Sequence, residues 1–341
     1  MCWRLARQLG TEYAWRVRLV VDDLASFQRI APEVETNKPQ QWGGFTEIFV
    51  WNSPPINDFV DVVIEAFGCA LPDAYVETMA ARPLPPLWIN LEYLSAEAWV
   101  AEHHLLASVH PTLGLTKTFF FPGFVQGTGG LIRESYLPAP NPPLPALDPP
   151  LGSPLKVFMF AYDVPVSVAI GETIMASSAV ASLTIPLGEL AKRLSGTGSA
   201  KLNAVPFVPQ PEFDVVLRSH DVLLVRGEDS FVRAQWAAKP FVWQIYPQAE
   251  GAHWPKLEAF LAIYCCGLSS PAEQAVRGLW LEMNGGHGGD SGVPASAYWE
   301  AFVAHLAEIA NHAVGWAKGL RQQPDLASNL VAQVEKTAKT P

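Results

Sequence analysis

The segment Val225–Gln248, VRGEDSFVRAQWAAKPFVWQIYPQ, decides the fold. Just before it, Asp221–Val225 (DVLLV) is a short, apolar, β-branched run that predicts a buried strand. Arg226-Gly227-Glu228-Asp229-Ser230 then turns the chain. Phe231–Ala238 carries helix-forming residues, and Pro240 stops that helix ahead of a second strand, Phe241–Tyr246. This is a strand–turn–helix–strand unit of a parallel sheet. Its turn brings an arginine, two carboxylates and a hydroxyl to the carboxyl edge of the sheet, where open α/β folds bind ligands. Ser230 or Asp229 is expected to cap the helix, and the N–H groups there favour an anion such as a diphosphate. The plainer reading of the turn, a capped helix with a surface ion pair, stays open on these residues alone.

A chain of 341 residues has room for about two domains with sizeable cores. Hydrophobic residues make up 49% and charged residues 16%, a globular composition. The net charge of -10 argues against a general nucleic-acid binder, although a local basic pocket for phosphates is compatible with it. Cys2, Cys69, Cys265 and Cys266 have no C-x-x-C spacing, and their apolar settings predict buried free thiols instead of a zinc site. His287 and the adjacent His103-His104 lack the spacing of metal ligands, so no metal is expected. No basic-then-apolar leader opens the chain and no apolar run is long enough to span a bilayer. These features predict a cytoplasmic protein without a membrane partner.

At the start, Cys2–Leu9 (CWRLARQL) has helical spacing, and Val17–Val21 follows as a strand ending in Asp22-Asp23. A crossover helix joins two strands, so a helix with no strand before it implies that the first domain lacks its N-terminal strand. Further strands are expected at Glu47–Trp51, Val62–Phe67, Leu87–Leu91 and Thr118–Phe121, with helices at Asp73–Ala81 and Ala96–His103. That alternation is Rossmann-like. Trp88, Tyr93 and Trp99 read as core aromatics, and Thr128-Gly129-Gly130 as an ordinary turn. Leu137–Pro154 (LPAPNPPLPALDPPLGSP) is the densest proline stretch and reads as the linker, dividing residues 1–150 from 151–320. The second domain is expected to open with a strand at Lys156–Tyr162. A helix at Ala181–Leu194, a strand at Asn203–Val208 and a helix at Lys256–Cys266 are also expected, with a glycine-rich loop at Asn284–Gly292. Tyr298–Trp316 and the residues Leu326, Leu330, Val331 and Val334 form core-type helical stripes.

RGEDSFVRAQWAAKPFVWQIYPQ resembles the signature of the elongation factor P arginine rhamnosyltransferases (EarP). These enzymes move rhamnose from dTDP-β-L-rhamnose onto one arginine of elongation factor P. VDDLASF (Val21–Phe27), WINLEYLSAEAWV (Trp88–Val100), LTKTFFFPGF (Leu115–Phe124) and EGAHWPKLEAFLAIY (Glu250–Tyr264) are also similar to that family. The resemblance implies an inverting glycosyltransferase with an α/β, GT-B-like fold of two facing Rossmann-like domains. The first domain would lie on the acceptor-protein side and the second would bind the nucleotide sugar. Residues 321–341 would form a helix returning toward the first domain. No cofactor is implied beyond the sugar donor.

An inverting sugar transfer needs a stabilised leaving diphosphate, a positioned acceptor and a carboxylate on the attacking side. Glu228 matches the family's functional glutamate, so the resemblance makes it the catalytic candidate. Through the RGEDS, PFVPQ and IYPQ segments it sets Arg226, Gly227, Asp229, Ser230, Phe207, Gln210, Tyr246 and Gln248 against the donor. Tyr162 joins them through a similar strand end. Phe207 suits stacking on thymine, and a glutamine suits reading the edge of the base. In the family an aspartate-bearing loop of the form DN-x-GDIGV precedes CWRLARQL. The chain has no counterpart to it in sequence, whether because its true start lies farther upstream or because it is naturally truncated, so the aspartate base is expected to be absent and transfer weak or lost. A second reading follows from that: a non-catalytic relative that binds elongation factor P or a dTDP-sugar without turnover. A third is a nucleotide-sugar enzyme with a different acceptor.

Overall fold

The computed structural model describes residues 1–36, 38–51, 60–138, 153–286 and 293–338. Most of the proline-rich linker, the tip of the glycine-rich loop and His287 lie outside the described residues. The chain divides into two units, one of Met1–Leu137 with Arg321–Pro341, the other of Pro138–Leu320.

The first unit runs through α1 (Cys2–Tyr13), β1 (Val17–Val21), α2 (Leu24–Gln28), β2 (Gln40–Trp42), β3 (Thr46–Val50), β4 (Val62–Ala66), α3 (Asp73–Ala80), β5 (Leu87–Leu91), α4 (Trp99–His103), β6 (Ala107–Val109) and β7 (Thr116–Phe120). Its strands form two sheets, ordered β1-β3-β2 and β4-β5-β7-β6. β1 with β3, β4 with β5 and β5 with β7 are parallel, while β2 and β6 are antiparallel edges. Trp88 is buried and its indole donates to the buried Glu65 at 3.0 Å. Tyr93 and Trp99, expected in the core, are 51% and 41% exposed.

The expectation that this domain lacks its N-terminal strand is corrected. β1 is formed and pairs with β3 along its length, from Val17 opposite Thr46 to Val21 opposite Val50. It ends in Asp22-Asp23, and the Asp23 carboxylate caps α2 by accepting the Ser26 N–H at 2.9 Å. The sequence argument failed because it demanded a strand ahead of α1 to complete a crossover. α1 finds its cover in other ways. Trp3 packs into a core with Leu24, Phe27 and Ile48. Arg4, 1% exposed, meets Glu134 through two contacts of 2.6 Å. Gly10 sits so close to Phe45 that an added Cβ would stand 1.9 Å from its ring.

The second unit contains β8 (Leu155–Met159), α5 (Pro165–Ala176), β9 (Val180–Pro186), α6 (Glu189–Ser195), β10 (Leu202–Val205), α7 (Gln210–Arg218), β11 (Val222–Arg226), α8 (Gly227–Ala237), β12 (Phe241–Gln244), α9 (His253–Tyr264), α10 (Ser270–Met283), α11 (Ala295–Ala304) and α12 (Leu306–Arg321). Its sheet is wholly parallel, in the order β10-β9-β8-β11-β12. From the central β8 the chain winds outward to one edge, then returns to β11 and winds to the other. The reversal lies between β8 and β11, where doubly wound sheets open a crevice at their carboxyl ends. The helix expected over Ala181–Leu194 is instead a strand followed by the short α6. β-branched Val180, Thr184 and Ile185 favour the strand, and Pro186 cannot sit inside a helix. The stripe over Tyr298–Trp316 belongs to two helices, broken at His305. Only Cys265 is buried, and burial raises its thiol to about 11; Cys266 is exposed, and all four thiols are free.

Aromatic rings fill one side of this sheet. Phe231 on α8 stacks on Trp243 of β12 at 3.9 Å, and Phe260 packs against Phe241, Tyr264 and Trp280. The last helix, α13 (Leu326–Ala338), belongs to the first unit. There Gln8 of α1 donates to Asp325 at 3.1 Å, and Tyr13 meets Ser328 at 2.8 Å. Thr128-Gly129-Gly130 packs here too, the Gly129 carbonyl accepting from Asn329 at 3.0 Å.

Candidate functional site

The carboxyl ends of β8 and β11 carry the residues singled out by the sequence. β8 runs on into Phe160 and Tyr162, and the Phe160 N–H bonds the Leu224 carbonyl at 2.8 Å, so both strand ends stay in register. Arg226 is the last residue of β11, and α8 starts at the next residue. The turn is this abrupt because Gly227 has φ +64°, a left-handed conformation that glycine takes without a Cβ penalty. The Trp243 indole donates to the Gly227 carbonyl at 2.9 Å and so fixes the turn from β12.

Capping by Ser230 or Asp229 is corrected. α8 begins at Gly227, four residues before the expected start, with Arg226 at the N-cap and no side-chain capping bond. Glu228, Asp229 and Ser230 therefore lie inside the first turn. The early start follows from the glycine, which lets the strand pass into the helix without a capping residue. The first-turn carboxylates also suit the positive end of the helix dipole.

Arg226 lies face-on to two rings, with its guanidinium carbon 4.5 Å from the centre of Phe160 and 4.7 Å from that of Tyr162. No carboxylate forms an ion pair with it among the described residues. Burial pulls the guanidinium below its ordinary value, with Tyr162 opposing, and burial raises the Tyr162 phenol, with Arg226 opposing. An arginine remains charged under such shifts. Phe207, 59% exposed, stands edge-on to Phe160 at 5.7 Å, and Tyr246, 65% exposed, edge-on to Tyr162 at 5.8 Å. The structure thus groups Tyr162, Phe207, Arg226, Gly227 and Tyr246 around one cation at the topological switch point.

Gln210 and Asp229 sit in a neighbouring network. The Asp229 carboxylate accepts from Gln210 Nε2 at 3.2 Å and from Arg233 Nε at 3.1 Å, while Arg233 Nη1 donates to Asp214 at 2.7 Å. Ser230 is buried and Glu228 half-buried. The Gln248 side chain is exposed, and its backbone N–H donates to His253 Nδ1 at 3.1 Å. Burial lowers the proton affinity of His253, which fits a neutral ring accepting this bond.

Sequence reasoning missed several of the residues that hold this edge together. Gln244 accepts the Tyr162 N–H at 2.7 Å and donates to Ser167 and to the Met283 carbonyl. Asn284 accepts the Ile245 N–H at 2.9 Å and donates to the Trp243 carbonyl. Nothing local in the sequence reveals these long-range bonds. Phe160 could have been found, since Phe158, Phe160 and Tyr162 alternate along one extended run. The Asp229–Arg233 pair was visible as an i,i+4 spacing. Among the described residues no group of three or more His, Cys, Asp or Glu is placed to hold a metal, and no helix is long and apolar enough to cross a membrane.

A solved structure described as the structural basis for EarP-mediated arginine glycosylation of translation elongation factor EF-P is similar throughout. It covers 98% of this chain and 94% of its own, with a TM-score of 0.62 and 30% sequence identity. The fold is that of a GT-B-type glycosyltransferase with two α/β lobes. The model of the Elongation-Factor P (EF-P) rhamnosyltransferase EarP family matches residues 1–335. A protein-arginine rhamnosyltransferase of Pseudomonas putida is 43% identical over 357 residues, covering 96% of this chain and 93% of the relative. One from Pseudomonas aeruginosa is 38% identical over 357 residues, with the same coverage of 96% and 93%. The chain belongs to the EarP family of bacterial EF-P rhamnosyltransferases.

Proposed function

We propose that this protein transfers L-rhamnose from dTDP-β-L-rhamnose to an arginine of translation elongation factor P, with inversion at the anomeric carbon. The observation that carries this reading is Arg226. A cation with no acidic partner among the described residues, set on two rings beside an uncapped helix N-terminus, is suited to a diphosphate. In this assignment Arg226, Gly227 and Ser230 hold the diphosphate, and the first-turn N–H groups add to its stabilisation as it leaves. Phe207 stacks on the base, Gln210 reads its edge, and Tyr162, Tyr246 and Gln248 line the sugar side. Asp229 holds Gln210. Family membership and 43% identity to a protein-arginine rhamnosyltransferase support the choice of donor and acceptor.

Arginine is a reluctant nucleophile, because its guanidinium is protonated and delocalised. A carboxylate can orient it and take its proton as the bond to the anomeric carbon forms and the dTDP bond breaks, and Glu228 is the residue we assign to that work. The second lobe takes the donor and the first lobe the acceptor protein. The reaction belongs in the cytoplasm, where a translation factor meets a nucleotide sugar. The test is intact-mass spectrometry of elongation factor P incubated with the protein and dTDP-β-L-rhamnose. A gain of one deoxyhexose, lost when the modified arginine is replaced by lysine, is the expected result. An unchanged mass, with dTDP binding intact, would refute the transferase assignment for this chain.

A further inference from the structure

We propose that Arg233 and Asp214 set the base specificity of the donor pocket by fixing which way round the Gln210 amide points. This rests on the functional reading above. Arg233 and Asp214 are 2% and 4% exposed, and neither has been given a role so far. They form the base of a relay. Asp214 accepts from Arg233 Nη1 at 2.7 Å, Arg233 Nε donates to Asp229 Oδ2 at 3.1 Å, and the same oxygen accepts from Gln210 Nε2 at 3.2 Å.

A carboxylate beside a guanidinium offers acceptors only, so the side of the Gln210 amide that meets Asp229 must be its NH2. The other side is then fixed as a carbonyl. Gln210 is 8% exposed, and its Oε1 is buried without a hydrogen-bond partner among the described residues. A buried acceptor in that state is costly, and a ligand that brings an N–H removes the cost. Thymine and uracil carry a ring N3–H between two carbonyls. Cytosine presents a lone pair at the same ring position and would face Oε1 acceptor to acceptor. A glutamine free to turn over could serve either base, and the relay removes that freedom. Arg233 also balances the charge of Asp229 in the first turn of α8, where a second anion is proposed to bind.

Calorimetric titrations with dTDP, dUDP and dCDP test the relay, using wild type, Asp229→Ala, Asp214→Asn and Arg233→Lys. The wild type should bind dTDP and dUDP within about fivefold of each other, the worth of one buried methyl group. It should bind dCDP at least about tenfold more weakly. Alanine at position 229 removes the oxygen that Gln210 Nε2 meets and leaves the Arg233 Nε donor, so the Gln210 amide can turn over. The dTDP preference over dCDP should then shrink by about tenfold, with the dTDP-to-dUDP ratio unchanged. Asp214→Asn should shrink it too, and Arg233→Lys should retain more of it. A lowered melting temperature with the wild-type dTDP-to-dCDP ratio in all three variants would overturn the proposal and leave the network purely structural. Where Asp214→Asn is unfolded at the assay temperature, Asp229→Ala decides, because Arg233 keeps Asp214 as a partner. A wild type that binds none of the three nucleotides would refute the functional reading itself.

Discussion

Replacing Arg226 by methionine separates a binding residue from a structural one, because the two roles predict opposite patterns. The side chain contributes to the fold through two face-on contacts, at 4.5 Å and 4.7 Å. Each is worth about 0.5–1 kcal/mol at a partly exposed site, so removal costs ~1–2 kcal/mol. Methionine recovers much of this, because a thioether on an aromatic ring contributes about 0.3–1.5 kcal/mol. The variant also no longer holds a charge where burial disfavours it. Stability should therefore change by less than about 1 kcal/mol. Binding should respond quite differently. A hydrogen bond to a charged group is worth about 1.5–3 kcal/mol, so dTDP affinity should fall about 10–150-fold. Titration calorimetry at low and moderate salt, beside thermal melts, measures both quantities. The salt dependence of binding should also flatten in the variant. Affinity within about threefold of wild type would refute the diphosphate assignment, since it lies below the worth of one such bond. A stability loss above about 2 kcal/mol would show that the cation mainly supports the fold.

Other outcomes follow from the same geometry. Glu228→Gln should abolish most rhamnose transfer while dTDP binding stays near wild type; a near-normal rate of deoxyhexose addition by mass spectrometry would remove Glu228 from catalysis. Glu134→Gln removes the carboxylate charge facing Arg4, which is 1% exposed, so stability to denaturant should fall by about 3–5 kcal/mol, with hydrogen exchange rising in the first unit. Burial holds His104 down at about 4 against an ordinary value of 6.5, and its Nδ1 accepts the Phe121 N–H at 3.0 Å. The unfolded chain binds the extra proton between those values. Stability is thus fully present above pH 6.5 and falls as pH drops toward about 4. His104→Asn, whose carbonyl can accept the same bond, should flatten the melting temperature over that window. After discounting for partial exposure the effect is about 1 kcal/mol, and an unaltered slope would count against it.

The second lobe was more legible in sequence than the first, for physical reasons. Residues 221–246 alternate strand, turn, helix and strand within one short window, each with its own stop signal. Periodicity and the Gly227 and Pro240 breaks locate them without tertiary knowledge. Position along the chain could not show that Arg226 rests on Phe160 and Tyr162, because those rings come from a strand over sixty residues earlier. The cap failed for a different reason. Ser230 and Asp229 are good capping types, and propensity cannot see that a left-handed glycine already starts the helix at residue 227. In the first lobe, the opening helix was read by a rule for crossovers. The structure covers α1 with an arginine–glutamate pair and the last helix, partners more than a hundred residues away. Hydrophobic spacing records that a face is buried, and it says nothing of what buries it.

The first unit is built from both ends of the chain, with the second inserted between them. During synthesis on the ribosome, the second unit is complete once Leu320 has emerged, and its parallel sheet can fold at that point. The first unit waits. Gln8 and Tyr13 are made 317 and 315 residues ahead of their partners Asp325 and Ser328. Its early segment thus spends the synthesis of the whole intervening stretch with part of its apolar surface uncovered. It is the region where chaperone dependence should concentrate. A stop codon placed after Leu320 should leave the second unit able to fold while the first remains unfinished.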